Sequence, residues 1–71
     1  MNRISVSSSN LASVGYDLST QVLEVEFLNG SIYQYLGVPS SVYDGLMAAS
    51  SHGSYLDQHV KRAGYSYRKT G

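Results

Sequence analysis

Hydrophobic and polar residues alternate most regularly in the middle of the chain. Between Val22 and Leu28 the odd positions are apolar, while Glu24 and Glu26 are acidic, which is the period-two pattern of a half-buried strand. Asn29-Gly30 follows, and this pair is the preferred sequence of a two-residue type I′ turn. Residues 31–36 return as a second strand, so the sequence predicts a β-hairpin.

A two-residue turn fixes which residues of the two strands face each other. Leu28 then pairs with Ser31, and Glu24 pairs with Tyr35. This register buries the following residues: Leu23, Val25, Phe27, Ile32 and Leu36. Tyr33 and Tyr35 are predicted on the opposite face, beside the two glutamates, which we expect to be solvated. A bulge or a longer loop would shift the pairing.

Shorter patterns before the hairpin predict one more strand. Residues 5–10 are a polar, serine-rich lead-in. Residues 11–16 then alternate, with Ala12, Val14 and Tyr16 on one face, and residues 17–20 have turn composition.

Two short helices are predicted after the hairpin. Pro39 opens the first, and Ser41 and Asp44 have the spacing of a capping box. The second runs from about Ser54 to Arg62. The apolar stripes of the two helices contain Val42, Leu46 and Ala49, and Leu56 and Val60, respectively. Tyr65-Ser66-Tyr67 alternates like a short edge strand.

These elements predict an α+β fold. A three-stranded antiparallel meander is packed by two short helices, with a candidate edge strand at the C-terminal end. The 71 residues are expected to form a single domain, residues 1–71, near the lower size limit for folding on one core. Since the chain has no cysteine for a disulfide, we expect a homo-oligomer to supply further burial.

The charges are unevenly distributed although they sum to zero. All five acidic residues precede the last eleven positions, which hold four of the five basic residues, namely Lys61, Arg62, Arg68 and Lys69. Because duplex binding generally needs many cations, the neutral total argues against an extended duplex and for a compact ligand with few phosphates. No apolar run or N-terminal signal suggests a membrane or secretory route, so a soluble, cytoplasmic protein is expected, in the host cytoplasm if it is phage-encoded.

Catalytic and metal-binding patterns are missing from the sequence. The two histidines, His52 and His59, lie outside any nucleophile motif, and their spacing does not suit a metal site. We therefore expect no enzyme activity, no bound metal and no cofactor.

The candidate ligand contacts come from three groups, each with a plainer alternative. Tyr33 and Tyr35 either pack the sheet or an oligomer interface, or stack on a base. The Ser51-His52-Gly53 turn is either an interhelical connection or a phosphate cradle. The basic end is either a solvated tail or an anion site in which arginine forks hold phosphate oxygens. The predicted contacts are Tyr33, Tyr35, Ser51, His52, Gly53, Tyr55, His59, Arg62, Tyr65, Tyr67 and Arg68.

Several motifs together resemble the KTSC domain, a family named after the C-terminus of some lysyl-tRNA synthetases. They are Gly15-Tyr16-Asp17, Leu23-x-Val25-x-Phe27, Tyr33-Gln34-Tyr35, Val38-Pro39, Ala49-x-Ser51-x-Gly53-x-Tyr55 and Tyr65-x-Tyr67. The resemblance extends from about Ser7 to Lys69 and departs from the family at Asp57, where an asparagine-like residue is expected. It implies RNA or nucleotide binding by analogy with the synthetases, and stand-alone members occur in bacteria and phages.

The favoured hypothesis is a non-catalytic protein that binds a nucleotide or cyclic oligonucleotide. In a phage it would act as a sponge for the cyclic nucleotide signals of host defence. The alternatives are an RNA-binding module similar to the synthetase appendage and a protein-interaction module without a ligand.

Overall fold

The computed structural model describes residues 1–71 as an antiparallel sheet with helices on one face. The strands are β1 (Ile4–Ser5), β2 (Leu11–Asp17), β3 (Val22–Phe27), β4 (Ile32–Tyr35) and β5 (Tyr67–Lys69), and they lie in this order. The helices α1 (Ser40–Ala48) and α2 (His52–Leu56) connect β4 to β5, and α2 continues as a π-helical turn, Asp57–Lys61. The α+β class is confirmed. The sheet has five strands rather than the predicted three.

Both additional strands are short edge strands. β1, which the sequence did not predict, lies where the polar lead-in begins and pairs Ile4 with Val14 and Ser5 with Ser13. The predicted C-terminal edge strand exists, but it begins at Tyr67 rather than Tyr65 and pairs with β4. The two residues of β1 are too few to show a periodic pattern, so only the pairing with β2 defines this strand.

The hairpin register is one residue away from the predicted one. Tyr33 pairs with Val25, and Tyr35 pairs with Leu23. The Gly30 N–H donates to the Phe27 carbonyl at 2.9 Å, and the Phe27 N–H donates to the Ser31 carbonyl at 2.8 Å. Gly30 has a φ of +91°, whereas Asn29 has no positive φ, so the connection is a three-residue loop with a left-handed glycine and not a type I′ turn.

The register places the tyrosines on the face that was predicted to be buried. Directly opposed residues share a face, so the helix-covered inner face carries Leu11, Val14, Tyr16, Leu23, Val25, Phe27, Tyr33, Tyr35, Tyr67 and Lys69. The outer face carries Ser13, Glu24, Glu26, Ile32, Gln34 and Arg68. The predictions that both tyrosines accompany the glutamates, and that Ile32 and Leu36 join the core face, are wrong. Leu36 lies beyond the end of β4 and is only partly buried.

A bulge at Ala12 changes the face of β2. The pairing shifts by one residue between Leu11 and Ser13. Leu11 is therefore fully buried on the inner face with Val14. Ala12 was predicted to share the face of Val14, but it is only partly buried.

The core lies between the inner face and the helices. It consists of Leu11, Val14, Leu23, Val25, Tyr35, Val38, Leu46, Leu56 and Val60. The buried positions predicted for the helices, Leu46, Leu56 and Val60, are confirmed. The predicted capping box is absent because α1 begins at Ser40 with Pro39 as its N-cap, which leaves Ser41 inside the helix. The second helix begins at His52, two residues before the predicted start.

None of the helices has the length and apolar character needed to cross a lipid bilayer.

Candidate functional site

An aromatic cleft opens on the inner face where the helices leave β4 and β5 uncovered. Its volume is about 410 Å³, which is within the range of small-molecule sites. Eight residues line it: Phe27, Asn29, Ser31, Tyr33, Tyr35, Lys61, Tyr65 and Tyr67. The hairpin loop, the end of the π-helical turn and β5 thus contribute to one concave surface. We name it the aromatic cleft.

The rings of the aromatic cleft form a contiguous group. Tyr33 is central, with ring centroids 5.8 Å from Phe27, 6.5 Å from Tyr35 and 6.0 Å from Tyr67. Tyr67 is 65% exposed, whereas Tyr35 is 4% exposed. The buried ring of Tyr35 therefore anchors the group, and the exposed ring of Tyr67 is accessible to a partner.

Lys61 supplies the positive charge of the aromatic cleft. Its Nζ lies 5.1 Å from the centroid of the Phe27 ring, within the range of a cation–π interaction. No carboxylate lines the cleft. Lys61 therefore presents an ammonium group beside the rings without a paired acid.

Tyr35 remains protonated well into the alkaline range. Burial raises the pKa of its hydroxyl, and the neighbouring Tyr33 and Tyr67 raise that pKa further. At neutral pH Tyr35 therefore presents a neutral phenol to the aromatic cleft.

A polar network crosses the outer face of the sheet. Arg3 Nη1 contacts Glu24 Oε2 at 2.5 Å, and Arg3 Nε donates to Ser13 Oγ at 2.9 Å. Gln34 Nε2 donates to Glu24 Oε1 at 2.8 Å, and Arg68 Nε donates to Gln34 Oε1 at 2.8 Å. The hydrogen bond from Gln34, and then the hydrogen bond and the charge of Arg3, hold the pKa of Glu24 below its usual value.

This network separates Arg68 from the tyrosines predicted to act with it. Tyr67 and Arg68 are consecutive residues of β5, so their side chains point to opposite faces of the sheet. Arg62 lies elsewhere again, with its Nε 3.3 Å from Asp57 Oδ2. The predicted tyrosine contacts Tyr33, Tyr35, Tyr65 and Tyr67 are therefore brought together, while the two predicted arginine forks are not part of their cleft.

The turn before α2 lies outside the aromatic cleft, and its residues Ser51, His52 and Gly53 make contacts within the protein. The Ser51 hydroxyl accepts from the Ser54 N–H at 3.3 Å as the N-cap. His52 Nδ1 lies 2.8 Å from the Leu46 carbonyl, so this ring nitrogen carries the proton and donates to the end of α1. Gly53 packs so closely against Asn10 that a side chain there would overlap it.

Tyr55 and His59 form a separate aromatic pair on the helices. Their ring centroids are 4.3 Å apart. Neither residue lines the aromatic cleft.

The structure groups no three histidine, cysteine or acidic side chains in positions that could hold a metal ion. Asp57, the departure from the family pattern, contacts Arg62.

Four lining residues were missed at the sequence level: Phe27, Asn29, Ser31 and Lys61. The sequence pattern assigns Phe27 to the core, Asn29 to the turn and Ser31 to the start of the return strand. Lys61 belongs to the basic end of the sequence, but it is 34 positions from Phe27, and no local pattern encodes such a contact.

Comparisons with known proteins give consistent results. A family model of the KTSC domain matches residues 7–65. An uncharacterized protein from Stutzerimonas stutzeri is 43% identical over 67 residues, which is 94% of each chain. A lysine–tRNA ligase from Nostoc punctiforme is 38% identical over 53 residues, which is 75% of this chain but 9% of that protein. The crystal structure of a KTSC domain protein from Yersinia pestis matches with a TM-score of 0.91 and 41% identity, covering 99% of this chain and 97% of that one.

Proposed function

This chain belongs to the KTSC domain family, as its motifs predicted, and from that premise we propose that it is a non-catalytic protein that binds a compact, phosphate-bearing nucleotide. The observation that carries the proposal is the aromatic cleft, where four tyrosines lie beside an unpaired ammonium group. Ring faces stack on bases of any sequence, and a nearby cation attracts phosphate.

The distribution of charge favours a compact ligand over a long polyanion. Arg3 and Arg68 are held on the outer face, and Arg62 lies near Asp57. A continuous basic groove, which single-stranded nucleic acids follow on their binding proteins, is therefore not formed around the aromatic cleft.

The finer parts of the proposal concern biology and assembly. In a phage, binding of this kind would sequester a cyclic nucleotide signal of host defence. A cyclic oligonucleotide has several bases, and the aromatic cleft suits one or two. We therefore place the complete site in a homo-oligomer, where a neighbouring subunit supplies the remaining contacts.

RNA binding is the second candidate, and the ligase relative favours it. The matching segment of the Nostoc punctiforme protein belongs to a lysine–tRNA ligase. A module of this kind would stack an unpaired RNA base in the aromatic cleft.

Calorimetric titration tests the proposal with mononucleotides, cyclic di- and trinucleotides and short single-stranded RNAs. Tyr67→Leu removes an exposed ring, and we expect it to weaken binding by about 1–3 kcal/mol, the usual contribution of a stacked base. Arg68→Gln is the matched control, because it changes the next residue on the opposite face, and we expect less than a threefold effect.

Absence of binding across the whole panel would contradict the proposal. Tighter binding to longer RNA, with a steep loss of affinity as salt rises, would favour the RNA module.

A further inference from the structure

The charge of the aromatic cleft defines the class of nucleotide that fits it. Lys61 is the only charged residue among the eight that line the cleft. The other lining groups are rings, the Asn29 amide and the Ser31 hydroxyl. One ammonium group balances one negative charge.

From this balance we infer that the aromatic cleft takes a nucleotide unit with a single negative charge, a phosphodiester, rather than a nucleoside di- or triphosphate. The inference rests on the proposed function and deepens it. Such a unit occurs in cyclic nucleotides and inside an RNA strand, and the chemistry at Lys61 is the same in both.

The remaining cations do not line the aromatic cleft. Arg68 is bonded to Gln34 across the sheet, and Arg3 is bonded to Glu24 and Ser13 on the same outer face. Lys69 pairs with Tyr33 and therefore lies on the same inner face, but it is exposed at the sheet edge and is not among the residues that line the cleft. Within the cleft lining, a second or third phosphate would therefore meet no further cation.

The loop residues provide neutral polar groups. Asn29 Oδ1 accepts the Ser31 N–H at 3.0 Å, which fixes the amide and leaves its NH₂ group available as a donor. A neutral donor suits a base or sugar oxygen and adds no charge to the balance. In this arrangement the tyrosine rings stack on the base, the Asn29 amide donates to a base or sugar oxygen, and Lys61 binds one phosphate.

The test compares adenosine, 3′,5′-cyclic AMP, AMP and ATP by calorimetry at constant ionic strength, together with the guanosine series. We expect the cyclic monophosphate to bind about tenfold more tightly than the nucleoside, the typical gain from one charge-assisted hydrogen bond. ATP should bind no more tightly than AMP. Cyclic diadenylate and the trinucleotide ApApA then distinguish a cyclic source from an RNA source of the same phosphodiester.

Lys61→Gln should abolish the difference in affinity between adenosine and 3′,5′-cyclic AMP. Lys69→Gln should preserve that difference. Both lysines are exposed, so neither substitution removes core packing. Tenfold tighter binding of ATP than AMP, or an unchanged difference in Lys61→Gln, would overturn this inference and leave the proposed function standing. Failure of every nucleotide to bind would overturn the proposed function itself.

Discussion

Glu24 and Glu26 show how differently one residue type behaves at two neighbouring positions of a strand. The side chain of Glu24 is 10% exposed and that of Glu26 is 34% exposed. Both acids point to the outer face, but only Glu24 lies between Arg3 and Gln34. Sequence alternation predicted two solvated acids, because the partner Arg3 is 21 positions away and outside every predicted element.

Glu24→Gln should destabilise the protein at neutral pH and much less in acid. The pKa of Glu24 is lowered from an ordinary value of 4.5, so its stabilising effect is fully present above that pH and is lost as the pH falls through the folded-state pKa. We expect a loss of about 1–2 kcal/mol at pH 7, since Arg3 loses a partly buried partner. Urea unfolding at pH 7 and pH 3 measures the change.

Glu26→Gln is the matched control for this prediction. Glu26 accepts a hydrogen bond from Ser13 and lies 3.9 Å from Arg3, but it is more exposed. Its replacement should cost clearly less at pH 7. If the difference in the free energy of unfolding between Glu24→Gln and the native protein were equal at pH 7 and pH 3, the stabilising role of the ionised Glu24 carboxylate would be refuted.

At the scale of elements, the sequence predicted strands β2 to β4 and both helices but not the hairpin register. Either register buries apolar side chains, because Ile32 and Leu36 alternate with Tyr33 and Tyr35 along the same strand. Asn-Gly also suits a type I turn followed by a left-handed glycine. Local periodicity therefore could not distinguish the two registers. The register determines whether Tyr33 and Tyr35 lie on the core face or on the face of the two glutamates.

The N-terminal segment, residues 1–3, packs over the outer face of the sheet, and no sequence pattern predicted this. We call this segment the clasp. A side-chain carbon at Gly15 would lie 2.8 Å from the Asn2 carbonyl oxygen and 3.0 Å from Arg3 Cγ. Glycine at this position therefore lets the clasp approach the sheet, and the clasp brings Arg3 to Glu24.

Gly15→Ala should displace the clasp and destabilise the protein by about 1–2 kcal/mol, a typical cost of overpacking. If the cost arises from losing the Arg3 contacts, it should shrink in an Arg3→Ala background. A double-mutant cycle measured by urea unfolding reports this coupling. Strict additivity of the two substitutions would show that Gly15 acts independently of the clasp.

At the scale of the whole molecule, the core is small for the number of residues that it must order. Only 12 of 71 residues are buried, and Leu18, Leu28 and Tyr67 are each at least 60% exposed. The sheet also ends in β5, whose three residues are all exposed. An exposed strand edge of this kind is a natural position for a second copy of the chain.

We expect sedimentation velocity to give a mass that is a multiple of the 7.7 kDa chain. A ligand bound at a subunit junction should strengthen the assembly, because binding to one state stabilises it by mass action. A mass of one chain at all concentrations, both with and without a bound nucleotide, would refute the oligomer and confine recognition to a single aromatic cleft.

The concentration of tyrosines in the aromatic cleft has an optical consequence. The chain contains seven tyrosines and no tryptophan, and four of those tyrosines line the cleft. Their ultraviolet emission is therefore not masked by an indole. Ring centroids about 6 Å apart exchange excitation energy readily, so a ligand that stacks on Tyr67 should dim the emission of its neighbours as well. The native protein thus contains its own fluorescent reporter of cleft occupancy.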